Sequence, residues 1–376
     1  LKKTLFRGRV RYMSRKSSYN IYDTTTEAWK GMYRAIEGAK KSIYWEVYIL
    51  VDEGTGIDFF ELLKRKVEEG VGVKLIVDYW GSFALSNKKI ESLKESGIDI
   101  RLFSQSRNIF RGFRQWLTRR THRKILIVDE HIGFIGGVNI SKYSKNWKDI
   151  HVMLKGKVVH SLLRSFAKTY ILCGGKRKDV KHLLKYKYRV ENDNIDFIYD
   201  HSGRKYSRGR KKYIEALRKA RERVILFSPY YLPDRQLLKE MWLARKRGVK
   251  IDLLIPLRTD LKIAKYTAYA FFSLFYKRGI RIHLTKKMMH GKGVVVDDKW
   301  AMIGSTNIEP GSFYHNQEAN VQLSDRRMVK KLKRILERWI GDAKQFDNDS
   351  WKKRGRWHKF KEKIAKKLYK FWFRFK

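Results

Sequence analysis

The sequence predicts an α/β protein made of two duplicated α/β sandwich halves, packed about a pseudo-two-fold axis with one active site between them. Three observations carry this. A pattern of His122, Lys124, Asp129, Gly136 and Asn139 returns as His290, Lys292, Asp297, Gly304 and Asn307, every position displaced by 168 residues. Helix-like and strand-like segments alternate through both halves, as they do in mixed α/β folds. The run Gly72-Val-Lys-Leu-Ile-Val77 is echoed by Gly248-Val-Lys-Ile-Asp-Leu-Leu-Ile255 at a displacement of 176, so the repeat extends beyond the motifs with a small insertion or deletion.

Taken in order, residues 1–23 form a basic leader without pattern. The first domain spans 24–195. Its first helix, 24–40, places Trp29, Met32, Tyr33 and Ile36 on one face, with Thr25 or Thr26 as cap. A strand follows at 42–50, then helix 59–69, strand 72–78, helix 87–97 and strand 99–103. The second domain, 196–345, repeats the order with helix 211–223, strand 224–228, helix 234–248, strand 249–255, helix 260–278 and strand 280–285. Residues 346–376 form a basic tail whose Trp357, Phe360, Ile364, Leu368, Phe371 and Phe375 recur at helical spacing. A basic amphipathic helix of this kind suits a membrane surface, against the alternatives of a core-docking helix or a disordered arm.

The repeated motif has its own local logic. Residues 124–128 are a β-branched run, so His122 and Lys124 share one face of a strand. Asp129-Glu130 turns the chain and 131–135 returns antiparallel, bringing Gly136, Gly137 and Asn139 beside His122 and Lys124. The second copy does the same through 294–296, Asp297-Asp298 and 300–303, bringing Gly304, Ser305 and Asn307 to His290 and Lys292. Small residues there let backbone N–H groups approach an anion. An imidazole, an ammonium, a carboxamide and small residues together suit a phosphate ester; a solvated structural hairpin is the alternative, disfavoured by the constant spacing.

The candidate catalytic set is therefore His122, Lys124, Asp129, His290, Lys292 and Asp297, within which Asp129 and Asp297 pin the turns rather than do chemistry. Asn139, Asn307, Gly137 and Ser305 are candidate phosphate-binding residues. A nucleophilic imidazole needs its second nitrogen fixed. Asp149, 27 residues after His122, and Glu318, 28 after His290, are the candidate orienters. No metal-ligand spacing is legible, and no cofactor is called for.

Composition narrows the partners. The 86 Lys and Arg against 38 Asp and Glu give a net charge of +48, which draws either nucleic acid or an anionic membrane surface. The single cysteine, Cys173, excludes an intrachain disulfide. No run reaches the ~18 apolar residues of a membrane span; the best, 268–276, is nine long. The chain opens on Leu1 rather than Met, so residues upstream are expected, and the first stretch carries no legible signal-peptide pattern. Segment 106–120 carries arginines interleaved with Phe110, Phe113 and Trp116 and leads into the first motif. It suits a lipid interface or a nucleic-acid strand, unless its aromatics pack inward.

The duplicated motifs resemble the phospholipase D superfamily. More narrowly, His290-Gly-Lys-Gly-Val-Val-Val-Asp-Asp through Gly304-Ser-Thr-Asn-Ile-Glu-Pro-Gly-Ser312 is similar to the bacterial cardiolipin synthases of the short type without transmembrane helices. The resemblance covers roughly residues 19–338. It implies two phospholipase D-like halves and transfer of a phosphatidyl group between two phosphatidylglycerol molecules with release of glycerol. A covalent phosphohistidine on His122 would carry the group, with His290 as acid and base; the near-symmetric copies leave the reverse assignment open. Lys124, Lys292, Asn139 and Asn307 would hold the phosphate oxygens. It also implies a Glu lining the site near Glu46, with a rim position the alternative.

The partners so implied are anionic phospholipid and a membrane surface, at the cytoplasmic face of the bacterial inner membrane. Nucleic acid is the less favoured partner, and no obligate protein partner is called for. Hydrolytic phospholipase D and a nuclease of the superfamily are the rival activities, and a non-catalytic scaffold is a third possibility that the two intact motifs disfavour. One departure stands out: Glu309-Pro-Gly311-Ser312 replaces the Asp-x-Arg-Ser common in the family, removing an arginine from acceptor or headgroup contacts.

Overall fold

Short β-branched and aromatic runs, buried along nearly their whole length, build two mixed sheets in the computed structural model, which describes residues 19–51, 55–103, 120–187, 194–201 and 207–374. The first sheet holds β1 (Tyr19–Thr24), β2 (Ser42–Val47), β3 (Gly72–Asp78), β4 (Asp99–Phe103), β5 (Ile125–Val128), β6 (Ile132–Gly136) and β7 (Lys148–Lys155). Its order is β1-β7-β6-β5-β2-β3-β4. The second holds β8 (Ile195–Asp200), β9 (Arg223–Phe227), β10 (Lys250–Pro256), β11 (Arg281–Thr285), β12 (Gly293–Val296), β13 (Trp300–Gly304), β14 (Glu318–Leu323) and β15 (Lys344–Gln345). Its order is β15-β11-β10-β9-β12-β13-β14-β8, so apart from the short edge strand β15 the two sheets share one topology. In each, a parallel trio (β2, β3, β4 and β9, β10, β11) meets an antiparallel set led by the motif hairpin. The protein is thus two α/β halves of like topology.

The sheets face each other across one apolar layer that contains Ile125, Ile135, Ile150 and Val152 from the first and Val295, Ile303, Ala319 and Val321 from the second. Helices His160–Leu172 and Arg326–Gly341 add to that layer through Leu163, Phe166, Leu332 and Leu336. The outer face of the first sheet is covered by Thr25–Glu37, Phe59–Glu68 and Asn87–Glu95, and that of the second by Arg208–Lys219, Arg235–Lys246 and Lys262–Lys277. Helix starts follow capping chemistry: Thr24, Asp58, Ser86, Ser207, Asp234 and Asp325 each accept a backbone N–H of the first turn. Thr24 caps the first helix in place of Thr25 or Thr26, because the Thr26 hydroxyl is spent on Asn146 at 2.7 Å.

Residues 19–23, counted with the leader in the sequence, form with Thr24 the edge strand β1 paired to β7. Residues 346–352, counted with the tail, belong to the second half, where Phe346 and Trp351 pack against Phe272. The leader up to residue 18, segment 104–119, and the side chains of Leu368, Phe371 and Phe375 lie outside the described residues. Among the described residues no helix is long and apolar enough to cross a membrane.

The motif hairpins are two-residue turns in which both central residues take left-handed backbone: Asp129 and Glu130 at φ 51° and 55°, Asp297 and Asp298 at 49° and 56°. Such turns match the twist of the flanking strands, and Asp tolerates the conformation better than most residues. The Asp129 carboxylate accepts the N–H groups of Lys40, Lys41 and Ser42 at 2.7–3.1 Å, fixing the entry to β2. Asp297 accepts those of Arg221, Glu222 and Arg223 at 2.7–2.9 Å, fixing the entry to β9. Both aspartates stand at the far ends of β5 and β12 from the motif histidines, so they hold structure and are corrected out of the catalytic set. Asp129→Ala and Asp297→Ala each strand three donors, and each should lower stability by roughly 1–3 kcal/mol, read as a lower unfolding midpoint.

Candidate active site

Neither half brings its own histidine to its own carboxylate. The halves interlock by two short backbone bridges, Thr121 with Gln317 and Lys148 with Met289. In the first, the His122 N–H donates to Gln317 O at 2.9 Å and the Gln317 N–H to Arg120 O at 2.7 Å. In the second, the Lys148 N–H donates to Met288 O at 3.0 Å and the His290 N–H to Lys148 O at 2.7 Å. Gln317 directly precedes Glu318 and Lys148 directly precedes Asp149, so each bridge seats a histidine on the carboxylate of the opposite half. His122 Nδ1 faces the two Glu318 oxygens at 3.0 and 3.1 Å, and His290 Nδ1 faces Asp149 Oδ2 at 2.8 Å. Each acid singled out by the spacings of 27 and 28 residues thus meets the histidine of the other half; the pairing is crossed.

His122, Lys124, Asp149, His290, Lys292 and Glu318 are all buried, and burial pulls on the protonation of each. It holds His122 well below the usual imidazole range, with the Lys124 and Lys292 ammoniums adding to the effect. It lowers His290 too, seconded by Lys292 and opposed by Asp149. Burial pushes Lys292 down to about 8 and holds Lys124 well below the usual ammonium range. The two carboxylates differ. Burial lifts Glu318 to about 7 against the pull of Lys124 and of the Ser305 and Ser312 hydroxyls. At Asp149 burial is outweighed by His290 and Lys292, leaving it below the ordinary carboxylate range. The Ile150 N–H also donates to Asp149 Oδ1 at 2.7 Å.

Each lysine bonds back to the histidine two residues before it. Lys124 Nζ donates to His122 O at 2.6 Å and sits 4.8 Å from the Tyr48 ring centre. Lys292 Nζ is 2.8 Å from His290 Nε2 and also donates to His290 O. Tyr48 packs edge-on against His122 with ring centres 4.9 Å apart, and Trp147 tilts against His290 at 5.5 Å. Asn139 and Asn307 are buried to 4% and 3% exposure, and both Oδ1 atoms lack a hydrogen-bond partner. A buried amide oxygen without a partner is uncommon, and here it occurs at both positions of the repeat.

Gly137 and Ser305 take roles other than anion binding. Their N–H groups are committed within the sheets, Gly137 to Ile150 O at 2.9 Å and Ser305 to Ala319 O at 3.0 Å. A Cβ on Gly137 would come within 2.1 Å of Asp149 Oδ1, so the glycine makes room for that carboxylate. At the matching place the Ser305 hydroxyl donates to Glu318 Oε2. Ser312 also supports Glu318, and its Oγ accepts the Asn307 N–H at 3.1 Å. Glu309 folds back to accept the N–H groups of Gly311 and Ser312, both at 2.9 Å.

The sequence did not single out Arg123, the residue between His122 and Lys124. Alternation sends it to the opposite face, where it is fully buried. It donates to Glu318 O at 3.2 Å, to Ser165 and Thr169 hydroxyls at 3.0 Å each, and to Asp200 O at 2.7 Å. Helix His160–Leu172 of the first half is thereby tied to β8 and β14 of the second. Glu46 is neither lining nor rim: it is fully buried, accepts the Thr121 hydroxyl at 2.5 Å and lies 3.9 Å from Arg123. Burial raises its carboxyl, against the pull of Arg123. Among the described residues no group of three His, Cys, Asp or Glu is placed to hold a metal ion.

Known proteins are similar to this chain in sequence and in fold. The family described as "Cardiolipin synthase, PLD-like domain" matches twice, over residues 32–170 and 213–340. The chain is similar to "Cardiolipin synthase 2" of Bacillus cereus, 29% identical over 87% of this chain, and spans 65% of that protein's length. It is also similar to "Minor cardiolipin synthase ClsB" of Bacillus subtilis, 26% identical over 91% of this chain and 86% of the relative. Among solved structures, the phosphatidylserine synthase of Haemophilus influenzae shares the fold at TM-score 0.70 with 14% identity, covering 94% of this chain and 92% of that one.

The buried Arg123–Glu46 pair generates a stability prediction. Arg123→Met leaves a buried carboxylate uncompensated and should cost roughly 3–5 kcal/mol, seen as a lower thermal midpoint. Adding Glu46→Gln should restore part of that loss in a double-mutant cycle; strict additivity of the two changes would contradict the coupling.

Proposed function

The chain belongs to the family of cardiolipin synthase, PLD-like domains, and from that membership and its site we propose that it is a phosphatidyltransferase that makes cardiolipin from two phosphatidylglycerol molecules. The observation that carries the proposal is the crossed pair of His–carboxylate contacts, each with a lysine bonded back to the histidine. His122 is the nucleophile. Burial keeps it neutral, and Glu318 holds Nδ1, which leaves Nε2 to attack phosphorus. The bond from phosphorus to the glycerol oxygen breaks as His290 protonates that oxygen, and glycerol leaves. His290 then takes the proton of a hydroxyl on the second phosphatidylglycerol. The new alkoxide attacks the phosphohistidine, forming cardiolipin and freeing His122.

The low-lying Asp149 supports this division of labour, because a persistent carboxylate stabilises the imidazolium that an acid and base must pass through. Lys124, Lys292 and the Asn139 and Asn307 carboxamides face the non-bridging oxygens, where fixed donors in a water-poor site stabilise the charge of the transition state strongly. The enzyme works as a peripheral protein on the cytoplasmic face of the bacterial inner membrane.

The test is product analysis on phosphatidylglycerol vesicles, with and without EDTA. Cardiolipin and free glycerol, indifferent to EDTA and absent with His122→Ala and His290→Ala, are expected. Phosphatidic acid without cardiolipin would instead identify a hydrolase, and nicked plasmid DNA with no lipid turnover a nuclease. Glu318→Gln should lower kcat by about a thousandfold or more, since the tautomer and orientation of the nucleophile are lost. Activity should also fall as pH rises past about 8, where Lys292 loses its proton and with it the positive charge facing phosphate. Lys292→Arg should move that limb to higher pH.

A further inference from the structure

We propose that the mouth of the site rests on an anionic bilayer through a docking surface contributed by both halves; of the proposed function this takes only that the substrate is a lipid. Five large apolar side chains carry the case together with one aromatic on the first half. Phe83 is 82% exposed and follows β3, whose last residue, Asp78, accepts the Thr121 N–H at 2.8 Å beside His122. On the second half Leu261 and Ile263, 49% and 44% exposed, follow β10 at the equivalent place. Their neighbour Asp260 accepts the Tyr230 hydroxyl at 2.7 and 2.9 Å and acts electrostatically on Lys292. Exposed apolar groups therefore flank the site at corresponding positions of the repeat.

The tail extends this surface. Helix Arg356–Arg374 runs along helix Lys262–Lys277: Trp351, in the short helix Asn348–Lys352 just before it, packs on Phe272 and Tyr269, and His358 and Lys361 of the long helix pack on Tyr266. The contacts step toward the N-terminal end of that helix, where Leu261 and Ile263 stand. Among the described side chains of this helix, the large apolar ones are exposed, the reverse of a docked amphipathic helix. Its inward face is Glu362, clamped by Arg354 at 2.8 and 2.7 Å, with Ala365. Its outward face is Trp357, Phe360 and Ile364, 73%, 52% and 39% exposed. Water gains nothing from such a face, and grouped exposed apolar side chains mark an interaction site. Lys359, Lys361 and Lys363 are exposed on the same helix, whose eight Lys and Arg face a single Glu. Apolar side chains that enter the acyl boundary, beside cations that meet headgroup phosphates, fit an anionic lipid surface. A nucleic-acid strand would use the cations and leave the isoleucines and leucine unsatisfied.

The test uses the full chain with vesicles of phosphatidylglycerol or of phosphatidylcholine, read by co-sedimentation. A parallel assay follows turnover of dihexanoyl phosphatidylglycerol below its micellar concentration. The wild type should partition onto phosphatidylglycerol far better than onto phosphatidylcholine. The triple variant W357S/F360S/I364S should bind on the order of tenfold or more weakly, as should Phe83→Ser to a smaller degree, with turnover of the dispersed lipid unchanged. Undiminished binding by the triple variant, or preference for duplex DNA over phosphatidylglycerol vesicles, overturns the docking surface. If the triple variant does not fold, Phe83→Ser and the charge reversal K359E/K363E decide the matter on the same readout. Binding that follows these expectations without turnover of either lipid would retain the surface and sink the transferase reading. Turnover of the dispersed lipid without vesicle binding would do the opposite.

Discussion

Everything at the site depends on two backbone bridges that cross from one half to the other. His122 donates its main-chain N–H to Gln317 and His290 its own to Lys148, and these bonds set which carboxylate meets which imidazole. Side chains one residue further on, Glu318 and Asp149, inherit their positions from those bonds. A site assembled in this way cannot be half formed. Separating the halves removes each histidine from its carboxylate and splits the apolar layer between the sheets at once, which couples the site to the packing of the whole chain.

Desolvation then does what no single residue does. His122, Lys124, His290, Lys292, Asp149 and Glu318 are all buried, so each charge is felt strongly by the others and water does not screen them. The cluster is nearly balanced, and the two half-sites have come to differ. One carboxylate is supported by two hydroxyls and is lifted toward neutrality; the other is supported by a backbone N–H and stays ionised. Beneath the cluster lies a second buried pair, Arg123 and Glu46, on the far face of the same strands. Its role is mechanical: Arg123 holds the carbonyl of Glu318 and so keeps the orienting residue in register with the histidine it serves.

Much of this was legible in the sequence, because it rests on period and spacing. The hairpins, their acidic turns, the parallel trios and the duplication all leave short-range signatures. Strands β7 and β14 did not stand out, although Ile150, Val152 and Leu154 alternate, because Lys148, Asp149 and His151 interrupt the apolar pattern. Asp149 is buried against His290, far along the chain, which periodicity cannot report. The same blindness hid the crossed pairing. A spacing of 27 or 28 residues identifies an acid on the next strand but one; it carries no information about which sheet will face it. Arg123 was invisible for a simpler reason: a basic residue inside a basic chain looks like surface.

The two positions between the motif histidines and lysines now hold Arg123 and Gly291. A side chain at Gly291 would begin 3.3 Å from Ile150 Cγ1 and 3.4 Å from the Ile150 nitrogen, so its neighbours would have to give way, whereas Arg123 is already seated on Ser165 and Thr169. Gly137 and Ser305 are committed in the same manner to carboxylates of different length. The copies have therefore ceased to be interchangeable. Copying either repeat over the other at the level of the gene would yield a protein symmetric in sequence and broken in structure, so the divergence of the halves, once begun, protects itself against being undone.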